Sequence, residues 1–224
     1  MNTMDTTGFH QITAAKASSA ERLTFLRKTY SLVLLGIAVF ASTAMAAQEV
    51  GVVNDIAKSL FGMGWLLMLV WIGSAFLVRA VARTPGVGMV LYLAYAAFLG
   101  IMITPLLLDA TDSVGPAAIM TLSIFGGLTA YVFVTKHDFS FLGGILAIGM
   151  FAMIGIAIVG MIFGLQMGAW YSIGGALLFS GYILYDTSNI LHRCRIDEPL
   201  PAAIELFVDI VMLFWFILSL LNRD

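Results

Sequence analysis

From Tyr30 onward the chain alternates long apolar runs with short polar breaks. Seven runs approach the ~20 residues needed to cross ~30 Å of hydrocarbon. They are Tyr30–Ala47, Leu60–Val81, Gly86–Leu108, Val114–Thr135, Phe141–Leu165, Ala169–Leu191 and Leu200–Leu221. Such runs predict helices, because lipid forces backbone polar groups to be satisfied within the segment, and a closed barrel needs shorter strands of alternating polarity. The pattern predicts an all-α integral membrane protein of seven transmembrane helices, with no soluble domain and no strong internal repeat. Residues 1–25 read as a polar cytoplasmic tail, disordered over Met1–Ala20 and lacking the apolar core of a secretory signal. Residues 26–224 form the transmembrane domain.

Composition agrees and narrows the field. At 61% hydrophobic and 11% charged, with a mean hydropathy of +1.00, the chain is far from the soluble norm of about a quarter charged. The 22 glycines suit close helix packing, and the pairs Gly126-Gly127 and Gly143-Gly144 are the expected places for tight contact or local bending. Pro105 and Pro116 are expected to kink or bound helices. A net charge of -2 argues against a nucleic-acid partner, since phosphate binding needs a basic footprint. The single Cys194 excludes a disulfide framework and a cysteine metal cluster.

Basic residues set an orientation, because they favour the cytoplasmic side. With the N-terminus inside, Lys16, Arg22, Arg27, Lys28, Arg79, Arg83, Lys136, Arg193 and Arg195 fall on the cytoplasmic side, and only Lys58 and Arg223 fall outside. Seven spans then put the C-terminus outside.

This topology locates two acids inside apolar runs. Asp186 lies six residues before His192, about 9 Å from the cytoplasmic end of the sixth span at ~1.5 Å per residue. Asp209, about nine residues into the seventh span, lies ~14 Å from the same face. Glu205 precedes it by one turn on the same side. Arg79, near the cytoplasmic end of the second span, has a side chain long enough to reach that level. An ionised Asp at mid-helix costs about 2.5–3.5 kcal/mol on insertion scales, and such residues face bundle interiors where they serve transport or proton relay. If the two aspartates meet, low dielectric and like charge favour a shared proton, and loss of that proton leaves a pair of carboxylates suited to a hard cation such as Ca²⁺.

Plainer readings accompany each residue. An intramembrane Asp also serves helix packing by binding an Arg or a backbone donor, Arg79 also reads as a snorkelling interface residue, and Glu205 as a solvated residue at the helix mouth. His137 and His192 border the cytoplasm and read as loop residues with some capacity to sense pH. Enzyme chemistry is poorly supported. Tyr185-Asp186 spells half of an intramembrane aspartyl protease signature, but the second acid sits in Phe207-Val208-Asp209 without the glycines of a GxGD motif. Ser188 and Cys194 lack a nucleophile elbow.

The stretches GYILYDTSNILH (Gly181–His192), IELFVDIVMLF (Ile204–Phe214), MTLSIFGGLTAY (Met120–Tyr131), KHDFSFLGGIL (Lys136–Leu146) and FLRKTYSLVLLG (Phe25–Gly36) together resemble the Bax inhibitor-1, or transmembrane BAX inhibitor motif, family. The resemblance covers almost the whole chain after the tail and is nearest in character to bacterial inner-membrane members. It implies seven helices with the last one central, a pH-sensitive Ca²⁺ leak, no cofactor, and a proton-sharing dyad at the positions of Asp186 and Asp209. It also implies an arginine latch, for which Arg79 in AFLVRA is the best match and Arg83 the competitor. Other members resemble modulators of a membrane AAA protease, a role recommended here by the ending NRD. The expected function is therefore a pH-sensitive cation leak through a gate of Asp186 and Asp209, with Asp186, Asp209 and Glu205 as cation ligands and Ca²⁺ as the transported metal. The alternative is a non-transporting regulatory subunit that binds other membrane proteins. The sign of the pH effect stays open, since protonation changes both gate and cation affinity.

Overall fold

Ser18 and Glu21 begin the first helix with a capping box. The Glu21 backbone N–H donates to Ser18 Oγ at 3.3 Å, and Glu21 Oε2 accepts from the Ser18 backbone N–H at 3.0 Å, satisfying donors that a helix start leaves open. The computed structural model describes residues 12–62, 65–165 and 167–222. The first eleven residues of the expected tail and Arg223 lie outside the described residues.

Eight helices follow in order among the described residues: α1 Ser19–Glu49, α2 Gly51–Gly62, α3 Trp65–Val81, α4 Val87–Asp109, α5 Thr111–Thr135, α6 Leu142–Phe163, α7 Ala169–His192 and α8 Pro199–Leu221. Extended pairing in this region is limited to an isolated bridge between Thr13 and Arg195.

Two expectations change. The polar segment ahead of the first span is ordered from Ile12, and α1 starts within it. Ala14 is fully buried, its N–H donates to the Cys194 carbonyl at 2.9 Å, and the Ile196 N–H donates to the Ile12 carbonyl at 3.2 Å. Arg22 Nε and its terminal nitrogen donate to the carbonyls of Ala14 and Ala15 at 2.6 and 2.9 Å. The stretch is too short and too mixed to stand out in the sequence, but its backbone groups pair with the loop after α7.

The expected seven spans become eight helices, of which α1, α4, α5, α6 and α8 are long and apolar enough to cross a membrane. The run expected as one second span divides between α2 and α3, and α2 takes in a stretch expected as an outer loop. Asn54, Asp55 and Lys58 make α2 amphipathic, and it ends on Gly62, a residue that disfavours helix continuation. What remains is α3, with 17 residues, or about 25 Å at ~1.5 Å per residue. α7 is long enough at 24 residues, but Ser172, Ser180, Asp186, Thr187, Ser188 and Asn189 dilute its hydropathy.

α8 occupies the middle. It packs against α1, α3, α4, α5 and α7, and 67% of its most apolar window is buried against 11% for α6. Phe207 anchors that core, with the rings of Tyr92, Tyr95 and Phe40 edge-on around it at centroid distances of 5.5, 6.4 and 6.5 Å. Such edge-to-face geometry is the favoured one for aromatic pairs. α8 is apolar on all sides apart from Glu205, Asp209 and Ser219, as befits a central helix.

Small residues set the closest approaches. A methyl group at Gly100 would overlap the backbone of Phe40 in α1, and one at Gly175 would overlap the ring of Phe216 in α8. By contrast, nothing lies within 4 Å of a Cβ built at Gly126, Gly127 or Gly144, and only Gly143 of the two expected pairs packs closely, against Tyr185. Pro105 and Pro116 both lie inside helices, in α4 and α5. Gly100→Ala therefore forces α1 and α4 apart, and a loss of about 1–3 kcal/mol is expected. Thermal unfolding of the purified protein in detergent checks this, with Gly144→Ala as the neutral comparison; equal midpoints for the two variants would contradict the packing.

Candidate functional site

Asp186 stands near the end of α7 and Asp209 midway along α8, where the packing of α7 on α8 brings them face to face. Their carboxyl groups are side-chain hydrogen-bond partners. Asp209 is 4% exposed, and its Oδ2 is buried without a donor. Ionised carboxylates only accept hydrogen bonds, so the contact between these two acids is satisfied when one of them carries a proton. The sequence placed these residues at similar depth; the structure brings them together.

Asp186 is half-buried because it lines a cavity of about 330 Å³, shared with Tyr185, Asn189 and Glu205, whose outer wall includes Arg193 and Cys194. Asn189 lies one turn beyond Asp186, and its Nδ2 donates to Asp186 Oδ1 at 3.4 Å. Sequence reading missed Asn189, although an amide three residues from an intramembrane acid on the same helix face is a legible signal.

Arg79 meets Glu205, not the aspartates. Its Nε lies 2.8 and 2.9 Å from the two Glu205 oxygens, and its terminal nitrogen donates to Oε2 at 2.6 Å. This forked pair joins α3 to α8 with planar, bidentate geometry, and it leaves Glu205 bound to a guanidinium where solvation alone had been the plainer reading. The two side chains are 37% and 39% exposed, so the pair adds little net stability. Arg83 is 71% exposed and bonds Glu198 at 3.1 Å on the rim, so of the two candidate arginines it is Arg79 that reaches Glu205. Among the described residues no three His, Cys, Asp or Glu side chains converge to hold a metal ion.

The rim is built from polar contacts. The Phe139 N–H donates to Ser188 Oγ at 2.9 Å and that hydroxyl donates to the His137 carbonyl at 3.3 Å. Arg193 donates to Ser140 Oγ at 2.6 Å and to Asp138 Oδ2 at 3.3 Å. His192 uses Nδ1 on the Ser188 carbonyl, 2.9 Å away, and His137 packs edge-on to Phe139. The Ser140 backbone and hydroxyl, followed by Arg193, hold the Asp138 carboxyl below the ordinary carboxylate range. A depressed value means that the clamp stabilises the fold above the unfolded-state value and is released only as pH falls through the lower folded one. Burial, with the charges of Asp186, Glu198 and Glu205, pushes the Cys194 thiol up to about 12, so it is an inert thiol at neutral pH.

A family model described as inhibitor of apoptosis-promoting Bax1 matches residues 22–224. The chain belongs to the Bax inhibitor-1 family. Among the similar members, an Escherichia coli protein named modulator of FtsH protease YccA is 35% identical over 206 residues, covering 88% of this chain and 89% of its own. Mouse protein lifeguard 4 is 29% identical over 210 residues, covering 93% and 88%. A BI1-like protein of Arabidopsis thaliana is 41% identical over 112 residues, a match restricted to 48% of this chain and 44% of that one.

Within this family member the loop from α5 to α6 is pinned to α7 by Ser188, which is fully buried. Ser188→Ala leaves the Phe139 N–H without its acceptor, at an expected cost of about 1–3 kcal/mol, and frees the loop. Limited trypsin digestion at Lys136 should accelerate while the helices persist by circular dichroism. An unchanged cleavage rate would show that the hydroxyl does not hold the loop.

Proposed function

We propose that the protein is a proton-controlled cation leak, with Asp186 and Asp209 as its gate and Ca²⁺ as the transported ion. The reading rests on one observation: two acids from adjacent helices face each other, Asp209 buried in the bundle and Asp186 lining a cavity at the end of α7. With one proton between them the carboxyl groups tie α7 to α8. Loss of that proton places two negative charges side by side in a low-dielectric interior, which weakens the tie and creates a demand for a cation. Ca²⁺ takes 6–8 oxygen ligands, so in this site it passes with much of its water, using Asp186, Asp209 and Glu205 in turn. Arg79 sits on Glu205 in this arrangement, and its release from that partner is the latch step.

The protein lies in the bacterial inner membrane with its N-terminus in the cytoplasm and its C-terminus outside. Arg22, Arg83, Arg193 and Arg195 gather at the end of the bundle that carries the α7–α8 loop, as the positive-inside rule asks of a cytoplasmic face. The family membership and the site's inert thiol favour a non-enzymatic role.

A second reading is a regulatory subunit without transport of its own. The Escherichia coli relative, named as a modulator of a membrane protease, supports it. In that reading the partner is a membrane protease, reached through lipid-facing helices such as α6.

Purified protein in sealed liposomes carrying a Ca²⁺ dye separates these. The leak reading expects efflux that varies with pH, and a flattened pH profile for Asp186→Asn and for Asp209→Asn. Absence of flux at every pH, with co-purification of a membrane protease, would replace it by the regulatory reading. Cleavage of a membrane substrate that is lost in the same two variants would overturn both.

A further inference from the structure

We propose that the seam between α1 and α5 holds one anionic phospholipid, its phosphate met by Arg27 and Lys136 and its acyl chains laid along the apolar face beneath them. The inference is separate from the leak, because neither cation lines the cavity at Asp186.

Geometry places the two cations at one end of the seam. α1 rests chiefly on α4 and α8, and α5 on α7 and α8; the two helices meet through the rings of Tyr30 and Phe133, 5.9 Å apart. The Tyr30 hydroxyl is buried and turned inward beside Thr129 and Thr187, which fixes the ring at this junction. Arg27 lies one turn before Tyr30 on a neighbouring face of α1. Lys136 follows Phe133 by three residues, where α5 ends. Both steps lead to the end of the bundle that carries the α7–α8 loop, since the chain ahead of α1 bonds to that loop and the loop after α5 is held by Ser188 and Arg193.

Charge separates this pair from its basic neighbours. Arg79, Arg83, Arg193 and Arg195 each have an acidic partner, and Arg22 donates to backbone carbonyls. Arg27 and Lys136 are exposed and, among the described residues, form no ion pair. The acids nearest to them in sequence are occupied, Glu21 by Ser18 and Asp138 by Ser140 and Arg193. A phosphate supplies the missing counter-charge, taking parallel N–H donors from a guanidinium and a point charge from a lysine.

Below the cations the surface turns apolar. Leu34 and Ala38 on α1, with Leu122, Gly126 and Ala130 on α5, are exposed, and a Cβ built at Gly126 would meet nothing within 4 Å. Cations at the edge of an apolar face match an anionic head on hydrocarbon chains, whereas a soluble acidic peptide would leave that face uncovered. Basic pockets between transmembrane helices recognise anionic headgroups in this way.

The test is native mass spectrometry of the purified full chain in a neutral detergent, titrated with dioleoyl-phosphatidylglycerol and, separately, with dioleoyl-phosphatidylcholine. Retention of one phosphatidylglycerol at least about tenfold more tightly than phosphatidylcholine is expected, since each basic residue near a membrane surface contributes about fivefold, the equivalent of ~1 kcal/mol. Arg27→Gln and Lys136→Gln should each weaken phosphatidylglycerol by about that fivefold and leave phosphatidylcholine unchanged. Lys28→Gln removes the same charge from a different face of α1 and should leave both lipids unchanged. Gly126→Trp, which fills the seam and keeps both cations, should weaken phosphatidylglycerol, with circular dichroism verifying that every variant keeps its helices. Equal retention of the two lipids would overturn the proposal, as would a loss in Lys28→Gln as large as that in Arg27→Gln. Saturable binding of glycerol 3-phosphate as tight as that of the lipid would also overturn it, by showing a site for free anions.

Discussion

A carboxylic acid placed on a helix that faces lipid has to find a partner, and in this protein Asp186 and Asp209 find each other. The rest of the bundle follows from that requirement. An acid in α8 can be tolerated only if α8 lies inside, and α8 is the helix most enclosed by its neighbours. An acid in α7 can be tolerated if its other side reaches water, and Asp186 does so through the cavity at the helix end. One acid is thereby buried and the other is half-wet, so a proton or cation arriving from the cavity meets Asp186 before Asp209.

The two ends of the molecule are built to different rules. At the end carrying the α7–α8 loop, the segment from Ile12, the α5–α6 loop and the α7–α8 loop are stitched by backbone bonds, Ser188 and several ion pairs. That stitching holds the cavity walls in place by directional bonds. Through the middle, packing is by rings and small residues, as expected where lipid offers no hydrophobic drive between helices. α5 and α6 present most of their surface outward, which suits lipid contact. Among the described residues, the forked Arg79–Glu205 bond and the aspartate contact are the charged interactions that cross between helices near the site.

Much of this was legible in the chain. The apolar runs gave α4, α6, α7 and α8 to within two residues at each end, because a span is long and its composition is unlike anything else. Asp186 and Asp209 stood out for the converse reason, as charges where charge is expensive. The failures are also physical. The polar break between Ala47 and Leu60 read as a loop, yet its residues Asn54, Asp55 and Lys58 fall within an amphipathic helix, α2. Residues 12–18 read as tail because they precede the first long apolar run, while their place in the fold comes from backbone bonds that composition does not encode. Glu205 read as a cation ligand or as a solvated residue, because its guanidinium partner is 126 residues away in α3, a pairing no local pattern reveals. The same blindness explains Gly126 and Gly127, where adjacent glycines suggested close packing and the structure leaves open space.

Membership of the Bax inhibitor-1 family places the chain among proteins as far apart as bacteria, plants and mammals, and the leak proposed for it rests on one H⁺ shared between two side chains. Infrared difference spectroscopy of the protein in lipid reads that directly, through the carbonyl stretch of a protonated carboxyl group. The account predicts one such band, shifted or removed by Asp186→Asn and by Asp209→Asn alike. A wild-type spectrum without the band, or a band that responds to one substitution and ignores the other, would contradict it.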